Sequence, residues 1–343
     1  MEFRKRVAAV GLAVAALGAT VLMAAPAGSA QFAGVNGRIQ YSKVGQGSPM
    51  RASVHLVDPD GTGDVTVVAD GWWASQDAAA TKLSYVSSDG TTLYVSNFDG
   101  TGATAIHTAA TGHYLASTSM SPDGTKVAFI DRGSPANDIY VINVDGSGRT
   151  NLTNGRVVSP NWPQFSPDGA RILFSTVTVT AGISDLMIIP AGGGAITTIA
   201  TGNYAWPSWT SDGRILSEFA VNGAQAIVML NADGSGQTTL LTAASIGMTQ
   251  VYWPVASPDG TKFTFSAGAG NQANSRSVAS FDPAVNQTAL SLWTANIDGS
   301  GATRIVDSTD GSDRIAAIWS SNGGVPTTTT TVPAEPATPK YTG

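Results

Sequence analysis

The sequence predicts an all-β fold: a six-bladed β-propeller of four-stranded blades, closed by N- and C-terminal strands that share one blade. Three observations carry this. The 343 residues include 39 glycines and no cysteine, with 12% charged residues, a composition that suits a chain of short strands and tight turns. Two short turn motifs alternate along the chain at a period of about 45 residues, the length of four short strands. Half a repeat stands at each end, and the two halves complement each other.

In chain order, residues 1–30 read as a secretory signal peptide. Arg4, Lys5 and Arg6 form a charged start, Val7 to Ala25 is an apolar run, and small residues favour cleavage after Ala30. The product is then secreted, extracellular or periplasmic; the alternative is an uncleaved anchor, because the run approaches spanning length. Without cysteine there is neither a lipidation site nor a disulfide, so core burial alone must hold the fold outside the cell.

Residues 31–325 form the propeller. Ser-Pro-Asp-Gly stands at Ser121–Gly124, Ser166–Gly169 and Ser257–Gly260, as Thr210-Ser211-Asp212-Gly213, and in degenerate form with Ala79-Ala80 in the Asp-Gly place. Each copy precedes an alternating stretch such as Lys126-Val127-Ala128-Phe129, the pattern of a half-buried strand. The Asp-Gly places at 79, 123, 168, 212 and 259 are separated by 44, 45, 44 and 47 residues.

The second motif is Asp-Gly-Ser/Thr-Gly between two strands. It starts at Asp60, Asp99, Asp145, Asp233 and Asp298, and Gly192-Gly193-Gly194 stands in for a sixth copy. Asp and Gly at these places supply the backbone that tight hairpins need. Ile315 to Trp319 read as a lone innermost strand, and its missing partners are Asn36 to Ser42 and Val54 to Val57 at the other end. Joining the two hides strand edges that would otherwise be exposed.

Residues 326–343 are a Thr/Pro-rich disordered tail or stalk, with too little apolar surface to fold.

Pro163-Gln164-Phe165-Ser166-Pro167-Asp168-Gly169 and Pro207-Ser208-Trp209-Thr210-Ser211-Asp212-Gly213 resemble the TolB-like propeller repeat, a WD40-like family. The resemblance covers about residues 35 to 324 and implies the propeller fold. It departs from TolB proteins in lacking an N-terminal α/β domain before the propeller.

Six residues before each Asp-Gly place stand Trp73, Ser117, Trp162, Trp206, Trp253 and Ala316. At about 3.3 Å per residue these lie about 20 Å from the turns, near the opposite mouth of the channel. Trp72, Tyr204 and Tyr252 are neighbours. Aromatics there suit a protein, peptide or glycan ligand; they equally suit wedges between blades. The extra residues of the fifth blade, mostly Gly268 to Thr288, form either a lid over the same end or a tolerated insertion. A lid would contribute Asn271, Gln272, Asn274, Arg276 and Asp282.

Asp58, Asp60 and Asp64 alternate as calcium ligands do, but no bidentate glutamate follows, and a plain hairpin turn competes with the metal reading. No Gly-x-Ser-x-Gly, His-Glu-x-x-His or phosphate-binding loop is present. No cofactor is therefore expected. Of the three histidines, His55 and His107 fall in outer-strand patterns, which leaves His113 as the one able to approach the channel, and chemistry there would depend on His113 or Arg314. A net charge of −6 without a basic block argues against nucleic acid. The expected function is an exported, monomeric binding or scaffold propeller, with possible cell-envelope association. The alternative is a polysaccharide lyase or hydrolase acting in the channel.

Overall fold

A computed structural model describes residues 34–320 apart from 46–50, 134–136, 158, 177–183, 222–223 and 270–288. Six antiparallel sheets of four strands each account for nearly all of it, with one 3₁₀ turn at Ala243–Ile246. The innermost strands of blades 1 to 5 are Trp72–Gln76, Tyr114–Met120, Pro160–Phe165, Tyr204–Trp209 and Gln250–Ala256. The sixth is Asp313–Trp319, and its blade is completed by Ile39–Val44, Ala52–Val57 and Val65–Val68, in that order outward. Both ends of the chain thus share one blade. Trp319 pairs with Ile39, and the Gly37 amide donates to the Ser320 carbonyl at 2.9 Å.

The first motif is a turn held by its own side chains. Ser257 Oγ donates to Asp259 Oδ1 (2.7 Å) and accepts the Lys262 amide (2.9 Å), and Ser121 with Asp123 and Lys126 repeats the arrangement. One hydroxyl therefore ties the turn to the strand it launches. In the degenerate copy the Asp77 carboxylate takes over, accepting the Thr81 and Lys82 amides, and Ala80 adopts the left-handed backbone of the missing glycine. Ser257→Ala is expected to cost about 1–2 kcal/mol in a urea titration, two modest hydrogen bonds lost at a buried position.

The second motif docks neighbouring blades. Gly61, Gly100, Gly146, Gly234 and Gly299 each lie against a backbone carbonyl on the outermost strand of the preceding blade: Ile305, Val67, Ile106, Ile199 and Leu240 respectively. In the sixth copy Gly193 faces the Leu152 side chain. Nearer the axis the blades are joined by polar contacts. Ser75 Oγ accepts the Met120 amide and Ser119 Oγ accepts the Phe165 amide, both at 3.0 Å, and Ser208 Oγ donates to the Pro254 carbonyl. Gln76 Nε2 closes the ring by donating to the Trp319 carbonyl at 3.0 Å.

The hairpin carboxylates bear on pH. In Asp60, Asp99, Asp145, Asp233 and Asp298, the hydroxyl and then the amide of the residue two places on hold the carboxyl below its ordinary value of 3.8. A depressed folded-state pKa gives stability that is complete above the unfolded value and is lost as pH falls through the folded one. Urea midpoints should therefore stay level above about pH 5 and decline below about pH 4. Asp99→Asn combined with Asp233→Asn should make that decline shallower.

Candidate functional site

The innermost strands share a further irregularity. In each, two residues face one on the second strand, a β-bulge, as where Trp206 and Pro207 interrupt the ladder between Ala205 and Ser208. The same break falls at Trp73, Ser117, Trp162 and Trp253, and between Ile315 and Ile318. The first bulged residue is left-handed in all five cases with a described φ: 52° at Trp73, 52° at Ser117, 57° at Trp162, 46° at Trp206 and 50° at Trp253. Glycine is the usual occupant of such a position; a large side chain there costs about 1–2 kcal/mol. Strain repeated at equivalent places turns side chains that would otherwise follow the pleat.

The tryptophans are turned onto the axis. Ring centroids of Trp73 and Trp162 lie 5.2 Å apart in edge-to-face contact, and both lie 6.4 Å from Trp253. These rings come from blades 1, 3 and 5, and alternate blades can meet only at the centre. Trp206 of blade 4 joins at 5.0 Å from Trp253, and Tyr252 meets Trp206 edge-on at 5.0 Å. The four indoles are between 2% and 8% exposed, so they fill the axis rather than line an open hole. Val44, Ala52, Ala116, Leu290 and Ile315 pack around them, all at the end of the blades away from the Ser-Pro-Asp-Gly turns. Half-buried Trp72 packs at a tilt against Trp73, with ring centroids 4.6 Å apart.

Tyr204 does not join this group. It packs on Phe219 at 4.8 Å within blade 4, and its hydroxyl donates to Gln237. His113 lies over the Gly133 backbone at the start of blade 2, with Nδ1 2.8 Å from Asp131, which also holds Arg149 at 2.9 Å. Arg314 binds Asp310 at 3.1 Å and donates to the Ser312 carbonyl at 2.8 Å. Burial alone would raise the Asp310 carboxyl, but Lys43, the Ser312 amide and Arg314 together hold it far below the usual carboxylate range. His113 and Arg314 are thus each held by a different carboxylate, on different blades.

Asp58 pairs with Arg38 at 3.1 Å, Asp60 caps its own turn by accepting from Thr62, and Asp64 accepts from Tyr41 and His55. The structure does not bring the three carboxylates together, and among the described residues no three His, Asp or Glu side chains form a metal-binding group. Asn271 and Arg276, with the rest of the proposed lid, lie outside the described residues; the strands they connect, Lys262–Gly268 and Ser291–Asn296, pair directly. Sequence reasoning missed Tyr114, 44% exposed beside His113 at the aromatic end, for which the only signal was its place one residue after the histidine.

Ring closure through both termini and a hydrophobic axial core define the molecule as a six-bladed β-propeller. The TolB beta propeller domain family matches residues 33–291, and the chain belongs to that family. It is 31% identical over 143 residues to a protein TolB homolog from Chlorobium chlorochromatii, covering 41% of this chain and 31% of that one. The match thus spans about a third of that relative's length. Among solved structures, TolB from Acinetobacter baumannii superposes with a TM-score of 0.66 at 17% identity, covering 83% of this chain and 66% of that one. A chain of a nidogen/laminin complex gives 0.61 at 10% identity, covering 82% and 98%.

Proposed function

We propose that this propeller is an exported binding scaffold that takes a protein or peptide partner on the aromatic end of its axis. The carrying observation is the aromatic surface over the axial cluster: Trp72 is half-buried and Tyr114 exposed at the end where four buried tryptophans from four blades, held by strained bulges, form a rigid floor. Aromatic side chains on such a support supply contact area at low conformational cost. The groups that would support a channel lyase or hydrolase, His113 and Arg314, are committed to separate partners. Membership in the TolB propeller family and the occurrence of the fold within a nidogen/laminin complex both support a protein-binding role. The signal-like first thirty residues support export.

A photoreactive phenylalanine analogue placed at Tyr114, and separately at exposed Thr238 on the outer rim of blade 4, tests this in cells of the source organism. A protease-sensitive adduct at position 114, absent at 238 and lost on Trp72→Ala, is expected. Equal labelling at both positions, or none, overturns the reading. An adduct removed by glycosidase assigns a glycan instead.

A further inference from the structure

The outer flank of the closing blade holds a group of side chains unconnected with the axis. Ser53 and His55 are two residues apart on the strand Ala52–Val57 and so share a face. The hairpin that follows returns Asp64 to the same place. Ser53 Oγ lies 2.9 Å from His55 Nε2, and His55 Nδ1 lies 3.0 Å from Asp64 Oδ1. Tyr41, fully buried and directly across the ladder from His55, stacks on the imidazole at 5.1 Å and donates its hydroxyl to Asp64 Oδ2 at 2.7 Å.

With a neutral imidazole, these contacts give each hydrogen bond a direction. Burial alone would raise the Asp64 carboxyl, but hydrogen bonds from His55 and Tyr41 outweigh it and keep the group ionised. Burial and the neighbouring Asp64 push the Tyr41 phenol far up, so it remains a donor. A carboxylate only accepts, so the neutral tautomer that fits this site has its proton on Nδ1 and an acceptor at Nε2, to which Ser53 donates. A hydroxyl pointed at an oriented imidazole is the arrangement of a nucleophilic serine.

We propose that Ser53, His55 and Asp64 form an acyl-transfer site whose substrates are carboxylic esters. Ser53 Oγ attacks the carbonyl carbon as its proton passes to His55 Nε2. The carbon–oxygen bond to the leaving alcohol then breaks, and the alcohol takes that proton. Water, deprotonated by His55, releases the acid from the acyl-serine and restores the free hydroxyl. Lys43 stands directly across the ladder from half-buried Ser53 and pairs with Asp310 at 2.7 Å. Thr66 presents a second hydroxyl at 3.4 Å from the same Nε2.

The test treats the full chain with a fluorophosphonate probe and with p-nitrophenyl acetate, and maps the adduct by peptide mass spectrometry. An adduct on Ser53 is expected. Ser53→Ala should abolish it, Asp64→Asn should slow labelling and ester turnover by about 10²–10⁴-fold, and Thr238→Ala, on the outer rim of blade 4, should leave both unchanged. Thermal melts of the variants separate loss of chemistry from loss of fold. No adduct, an adduct on Thr66 or elsewhere, or unchanged labelling in the folded Asp64→Asn variant overturns the proposal. The site lies off the axis, so none of these outcomes touches the binding scaffold.

Discussion

Trp253→Ala is expected to lower the stability of the fold by about 3–5 kcal/mol, the usual range for removing a buried tryptophan. The loss should be at the upper end, because this ring touches Trp73, Trp162, Trp206 and Tyr252 and so joins blades 1, 3, 4 and 5. Its backbone makes a sharper comparison possible. At φ 50° alanine keeps the left-handed strain that tryptophan bears, whereas glycine releases about 1–2 kcal/mol of it. Glycine's greater loss of chain entropy, about 0.5–1 kcal/mol, offsets only part of that gain. Trp253→Gly should therefore be at least as stable as Trp253→Ala. At Val255, two residues along the same strand and outside the left-handed region, alanine should be the better of the two. Urea midpoints for the four variants decide it: if glycine is worse than alanine at both positions, the bulge is not strained. Near-UV circular dichroism should lose the signal of coupled indoles in both Trp253 variants.

Gly234→Ala is expected to cost about 2–4 kcal/mol, from left-handed backbone strain of about 1–2 and overpacking of about 1–3, less a small gain from a stiffer unfolded chain. The added methyl would fall inside the van der Waals surface of the Ile199 carbonyl, which is backbone and cannot rotate away. Gly112 supplies the control. Its φ of 82° matches the 83° of Gly234, but nothing lies within 4 Å of where its Cβ would stand. Gly112→Ala should thus show the strain alone, about 1 kcal/mol, and the difference between the two variants isolates the docking of one blade on the next. Equal losses would mean that the blades do not meet through these hairpins.

The sequence was most legible where turn chemistry is local. Ser121, Asp123 and Gly124 fix their own turn, so the period and the six blades follow from them, as does the pairing of Ile315–Trp319 with strands near the N-terminus. Spacing alone placed the degenerate turn, where Ala80 took up a backbone that its residue type disfavours. Counting back from the turns also found the tryptophans. It did not show that their rings meet, because a left-handed bulge at tryptophan has no signature in residue type, and pleat alternation gives the wrong direction for the side chain. His55 illustrates the other limit. Its strand pattern was readable, but the carboxylate that orients it arrives only when the Asp58–Asp64 hairpin folds back.

The shared sixth blade has a geometrical consequence for how the molecule can be held. Gly37 and Ser320 are hydrogen-bonded neighbours at the turn end, whereas the indoles gather at the other. A tether attached directly at Gly37 or at Ser320, whether a surface, a fused domain or an affinity tag, therefore grips the same rim. The aromatic end then points away from the attachment, like the face of a flower on its stem. Immobilisation at either of these two residues should leave that end equally accessible to a partner in solution.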